Sequence, residues 1–232
     1  MLDKQSSDLI RLNKYLALSL GVSRREADNL IDRKQVKVNG EFAVLGARIK
    51  TTDEITVNDR PLEKTFKYEY IALNKPVGYV CSRLKQGEND TIYSLLPKKF
   101  HHLKTVGRLD KDSSGLILLT NDGDFTYKMT HPKFYKIKKY LVKLNKDLEP
   151  IHQQMVSDYG IELEDGPSKL TLERQSDQDR QNWIVTMHEG RNRQIRRTFS
   201  TLGYEVIKLH RTDFGNYTLA NIKPGKFIKI NL

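Results

Sequence analysis

Asp110 and Asp112 sit in the stretch Gly107-Arg108-Leu109-Asp110-Lys111-Asp112-Ser113-Ser114-Gly115, among two basic residues and a pair of serines. The stretch runs directly into Leu116-Ile117-Leu118-Leu119, an apolar run of strand length that Asn121 closes. A loop held by a buried strand is where a protein displays reactive groups. The same residues are also good turn formers, with Arg108 as a solvated partner, so types and spacing alone leave both readings open. Any chemistry here is carboxylate chemistry. Cys81 is the only cysteine, which leaves neither an intrachain disulfide nor a cysteine-based metal cluster. The six histidines include no H-x-x-x-H pair, so no metal is expected.

Composition narrows the partner. Forty Lys and Arg against 29 Asp and Glu give 232 residues a formal net charge of +11, which calls for a polyanion. Nucleic acid is the first candidate. No apolar run approaches the roughly 18–20 residues that span a bilayer, so no membrane is expected. Met1 to Asp8 lacks the apolar core of a signal peptide, and the expected location is the cytoplasm.

The run GRLDKDSSGLILLTNDGDF resembles the signature of the pseudouridine synthases that modify ribosomal RNA, in the bacterial branch with a small N-terminal RNA-binding domain. Asn74-Lys75-Pro76-Val77-Gly78 resembles the family's first motif, and its residues read as structural: Pro76 fixes a turn and Gly78 permits close backbone approach. By residue-for-residue matching, the resemblance implies that Asp110 is the catalytic aspartate. Tyr140, in Lys138-Lys139-Tyr140, matches the tyrosine that packs on the target base, although the pattern alone also suits a core aromatic. Arg196, in Gln194-Ile195-Arg196, matches the arginine that pairs with the catalytic aspartate. Leu209, in Leu209-His210-Arg211, matches a leucine lining the base pocket. Arg108, Arg191 and Arg193 are expected to bind substrate, with Arg191, Arg193 and Arg197 on phosphate.

The elements that must position these residues follow the chain. Leu9, Leu12, Leu16 and Leu20 keep helical spacing, with Arg11 and Lys14 on the other side and Gly21 as the stop. Ser23-Arg24-Arg25-Glu26 has the form of a capping box, which starts a second helix running to about Lys34 with Ala27, Leu30 and Ile31 inward. Val36-Lys37-Val38 then enters an Asn39-Gly40 turn. Together these resemble the αL-type RNA-binding domain first described in a ribosomal small-subunit protein, and Arg11, Lys14, Arg24 and Arg25 match its basic positions. Glu63 to Lys67 is polar and reads as the linker. Tyr70–Leu73 opens a new strand, and Lys98 to Lys104 interleaves basic residues with aromatics in a composition suited to RNA. Six lysines and no acid run from Lys133 to Lys146 around a strand at Tyr140. A helix is expected over Glu149–Gly160. The stripe Ile195, Phe199, Leu202 predicts another that Gly203 ends, with arginines at its N-terminal part. Cations there oppose the helix dipole and should serve an anion.

Strands outnumber helical patterns after residue 66 and do not alternate with them, which argues against a doubly wound parallel sheet. The expected fold is α+β: an αL domain over 9–60, then a catalytic domain over 67–232 with a mixed, mainly antiparallel sheet flanked by helices. The activity implied is isomerisation of a uridine in ribosomal RNA, with the large-subunit (23S) RNA favoured over the small-subunit (16S) RNA. The expected partner is ribosomal RNA or a pre-ribosomal particle, the expected state is a monomer, and no cofactor is needed because neither redox nor net hydrolysis occurs. A non-catalytic ribosome assembly factor, a glycosylase or hydrolase on RNA, and a basic DNA-binding protein are the alternatives. An assembly factor would not need an aspartate, a tyrosine and an arginine matching separate motifs.

Overall fold

Leu12, Tyr15 and Leu16 lie within one helical turn of each other, and burying them organises the N-terminal part of the chain. The computed structural model describes residues 9–63 and 67–231 and divides the chain between Tyr68 and Glu69. The signal-peptide reading of residues 1–8, the middle of the linker and Leu232 lie outside the described residues.

In the first unit, β1 (Ile10–Arg11) leads into α1 (Leu12–Leu20), and α2 (Arg24–Asp32) follows. Strands β2 (Val36–Val38), β3 (Glu41–Phe42), β4 (Arg48–Ile49), β5 (Ile55–Val57) and β6 (Arg60–Pro61) complete it. The capping box is formed: the Ser23 hydroxyl accepts from Glu26 N–H at 3.1 Å, and Ser23 N–H donates to the Glu26 carboxylate at 2.7 Å. Asn39 and Gly40, at φ 52° and 87°, supply the two left-handed residues that a tight hairpin requires between β2 and β3. Leu9 does not join the helical stripe. It is exposed, because Ile10 and Arg11 are drawn into antiparallel pairing with Ile49 and Arg48. The buried cluster is Leu12, Tyr15, Leu16, Ala27, Ile31, Val36, Ile49 and Ile55.

The second unit opens with β7 (Tyr70–Lys75), β8 (Lys104–Val106), β9 (Ser114–Thr120), α3 (Gly123–Thr130) and β10 (Lys138–Leu144). After α4 (Pro150–Gln154) come β11 (Ile161–Leu163), β12 (Gly166–Ser168), β13 (Thr171–Arg174) and β14 (Asn182–Met187). Finally α5 (Gln194–Thr201) precedes β15 (Val206–Phe214), β16 (Tyr217–Thr218) and β17 (Phe227–Lys229). The expected long helix at 149–160 is shorter in α form, since Met155–Tyr159 continues as a π-helix closed by Gly160 N–H to Met155 O at 2.8 Å.

The main sheet has the order β13-β14-β10-β15-β9-β7-β17, with β16 beside β15 and β8 beside β9. All its described pairings are antiparallel except β9 with β15, which run parallel through Ser114 and Gly115 against His210 and Arg211. That one seam depends on Gly115. A Cβ there would lie 2.6 Å from the Arg211 nitrogen, and φ is +105°. Tyr140, Val142, Trp183, Val185, Leu209, Ile195 and Phe199 belong to the core beneath one face, so the strands carrying candidate site residues are held by continuous apolar packing.

Candidate active site

The loop Gly107–Ser113 hangs between β8 and β9, and a lysine holds it from behind. Lys75, the last residue of β7, is fully buried. Its ammonium donates to Ser113 O at 2.6 Å, Asp110 O at 2.9 Å and Pro76 O at 3.1 Å, with Lys111 O at 3.5 Å. Burial pulls its pKa down to about 8, against the raising influence of Cys81, Asp110 and Asp112. Gly78 adds a backbone tie, its N–H donating to Lys111 O at 2.8 Å. That approach does not itself demand glycine, because a Cβ there would meet nothing within 4 Å. What the position needs is its left-handed φ of +95°.

Arginines hold the same loop from the front. Arg193, in the left-handed region at the start of α5, donates to both Asp112 oxygens at 3.1 and 3.0 Å, and its Nη1 lies 3.6 Å from Asp110 Oδ2. Arg196 donates to Val206 O at 2.6 Å and Asp112 O at 2.9 Å, and its Nε stands 3.3 Å from Asp112 Oδ2. This corrects the expected pairing of Arg196 with Asp110. The arginine that reaches Asp110 is Arg193, and Arg196 ties β15 to the loop through Asp112. Nor is Asp112 merely a turn former. Burial by itself would raise its carboxyl, but the Arg193 hydrogen bonds and the charges of Arg196 and Arg193 hold it below the usual aspartate value. Asp112→Asn should therefore leave the fold standing yet cost on the order of tenfold in kcat/KM, since a charge-assisted fork is worth roughly 1.5–3 kcal/mol. Steady-state kinetics of the purified variant check this, and unaltered kinetics would rule out the clamp.

Arg191, just before α5, and Arg197, within it, meet an anion of the protein's own, Asp165. Arg191 donates to Asp165 Oδ1, Asp165 O, Gly166 O and Pro167 O at 2.7–2.8 Å, and Arg197 forks onto the Asp165 carboxylate at 3.0 and 2.7 Å. Both fasten the β11–β12 hairpin, so the phosphate role expected for Arg191 and Arg197 would have to be shared with Asp165. Arg191 still contributes to the wall of the cleft.

That cleft, about 430 Å³, collects Asp110, Arg108, Tyr140, Arg193 and Leu209. Tyr140 and Leu209 are buried in its floor, on neighbouring strands β10 and β15, while Arg108 is exposed at the mouth. The sequence reading missed two further cations. Lys138 donates to Glu189 O at 3.1 Å and lies 5.4 Å from the Phe214 ring centre. Burial, then the nearby charge of Arg211, brings its pKa down to about 8. Arg211, 2% exposed, donates through Nε to Leu116 O at 2.8 Å and stacks 4.8 Å from the same ring. The signal for both was a basic residue two positions from a cleft residue in the same strand, Lys138 from Tyr140 and Arg211 from Leu209. In the first unit, Arg11, Arg24 and Arg25 are exposed and Lys14 is partly so.

An aspartate, a tyrosine and a leucine from separate motifs thus share one cleft with a cationic surround, on a mixed sheet. Comparison with known proteins places this arrangement. The model for RNA pseudouridylate synthase matches residues 69–201, and the S4 domain model matches 10–55. The chain belongs to the RNA pseudouridylate synthase family and is a pseudouridine synthase. Among its relatives, ribosomal large subunit pseudouridine synthase B of Bacillus subtilis is 37% identical, over 93% of this chain and 89% of that one. Ribosomal small subunit pseudouridine synthase A of Yersinia pestis is 36% identical, over 94% and 93%. A crystal structure of a pseudouridylate synthase superposes with a TM-score of 0.68 at 34% identity, covering 96% of both chains.

Proposed function

We propose that this chain isomerises a uridine of ribosomal RNA to pseudouridine, with Asp110 as the reacting carboxylate and large-subunit RNA as substrate. The observation that carries this reading is that Asp110, Tyr140 and Leu209 share one cleft, of a size that suits a single nucleoside. The reaction breaks the bond from N1 to C1′, turns the base and joins C5 to C1′. C5 gives up its proton and N1 ends with one, so the product has the composition of the substrate. A target inside paired RNA must first be flipped out of its stack.

In this reading Tyr140 and Leu209 cover the base. Arg193 sets a positive charge 3.6 Å from the Asp110 carboxylate. Attack at C1′, addition at C6 and help in removing a sugar proton are all roles a carboxylate can fill. Arg108 at the mouth meets the RNA backbone. The resemblance of Ile71-Ala72-Leu73-Asn74-Lys75-Pro76-Val77-Gly78 to large-subunit enzymes supports 23S RNA, as does the Bacillus subtilis relative. The near-equal identity of the Yersinia pestis relative favours 16S RNA as the second reading. Mapping pseudouridines in both RNAs from cells with and without the gene tests both. One missing site in 23S RNA is expected, one in 16S RNA selects the second reading, and none overturns the function.

The N-terminal unit should hold RNA through phosphates. Arg24→Ala combined with Arg25→Ala is expected to weaken RNA binding for all sequences and to flatten the log–log salt dependence by about one unit per lost contact. Titrations across salt concentrations read this directly, and an unchanged slope would assign both arginines to the solvated surface alone.

A further inference from the structure

Beside Thr130 and Pro132, which line the cleft, lies an exposed aromatic cluster that the reaction above does not use. Tyr127 and Phe134 meet edge to face with centroids 5.6 Å apart, and His131 packs 4.7 Å from Tyr127. The Lys133 ammonium sits 5.0 Å and 4.9 Å from those two ring centres. Tyr135 stands outside this cluster. It is 74% exposed, and its backbone adopts φ 46°, ψ 45°, a left-handed conformation that a bulky residue seldom takes without a constraint. The constraint is visible. Phe134 and Tyr135 N–H donate to His131 O and Pro132 O at 3.1 and 3.0 Å, and Gly215 N–H donates to Ile137 O at 2.7 Å. Main-chain bonds on both sides therefore fix the backbone that carries this exposed ring, three residues from Pro132 of the cleft lining.

Two physical facts say what covers it. The band Lys133–Lys146 carries six lysines and no acid, so a polyanion is the complementary partner. Flipping a nucleotide also uncovers the face of the base it was stacked on, and an aromatic ring is a sequence-tolerant replacement for that stack. We propose that Tyr135 is a stacking platform for an unpaired base neighbouring the target uridine. The inference rests on the reading of an RNA uridine as substrate.

Tyr135→Ala should raise KM roughly tenfold, within the range that base–aromatic stacking gives, with kcat at saturating RNA kept. Tyr135→Phe should behave as the unaltered protein, and the salt slope of binding should stay constant because no phosphate contact is lost. Tyr135→Trp adds a reporter. The chain has one other tryptophan, Trp183, which is fully buried. Fluorescence of the Tyr135→Trp protein should be quenched by a short single-stranded uridine-containing RNA and far less by a duplex of the same sequence. Tritium release from 5-tritiated uridine in ribosomal RNA separates the two claims. If the unaltered protein does not release tritium, the functional reading fails. If it does and Tyr135→Ala keeps the same KM, or if duplex and single strand quench equally, the stacking platform is overturned.

Discussion

Asp110→Asn is expected to bind RNA as the unaltered protein does and to release no tritium above background, a loss on the order of 10⁴-fold or more for removal of a reacting group. The exchange keeps size and most hydrogen-bonding capacity and takes away charge and nucleophilicity. Its interpretation is clean because the loop does not hang on this side chain. Lys75 grips the Asp110 main-chain carbonyl, which asparagine retains, and Arg193 stays forked on Asp112. Thermal unfolding and RNA affinity should therefore be unchanged. Substantial turnover by the variant, or losses at Asp110 and Asp112 of equal size, would remove Asp110 from the role assigned to it.

The second large effect concerns Lys75. Lys75→Met keeps much of the aliphatic stem but strips the donors from the buried Ser113 O bond and from the part-buried bonds to Asp110 O and Pro76 O. A buried carbonyl left without a donor costs roughly 1–3 kcal/mol and part-buried ones less, so about 3 kcal/mol is lost from a stability of the usual 5–15 kcal/mol. For a chain of this size the melting temperature should fall by about 10 °C or more. Activity measured well below that temperature should fall as well, because the carbonyl beside the reacting side chain is no longer held. A calorimetric midpoint unmoved by the substitution would show that the loop keeps its shape without the lysine.

Local chemistry was legible in the sequence. Ser23 with Glu26, and Asn39 with Gly40, form what their spacing prescribes, since the partners are a few residues apart and the geometry is that of the backbone. Tyr140 and Leu209 reach the cleft because strand alternation decides which face they take. The arginines were harder to assign. Arg196 and Arg193 reach Asp112 across more than 80 residues, and whether a guanidinium finds Asp110 or Asp112 depends on how α5 meets the loop. Lys75 escaped for another reason. Its partners are main-chain carbonyls, which every residue has and no sequence marks. Leu9 fitted the helical stripe but was displaced by strand pairing at Ile10, a tertiary contact that overrides periodicity.

The parallel seam between β9 and β15 has a consequence for how the protein comes to life. Ser114 and His210, joined across the seam at 2.9 Å, are 96 residues apart in sequence. Contacts of such long range close late, after the loop entropy between them has been overcome. The loop with Asp110 belongs to the stretch before the seam, and Tyr140, Arg193 and Leu209 to the stretch beyond it. A chain emerging from the ribosome, or refolding from denaturant, can therefore complete β7–β9 with its reactive carboxylate exposed and still have nothing to hold a base against it. Closure of the sheet is what brings the carboxylate and the base-holding residues together, whatever RNA the N-terminal unit already holds.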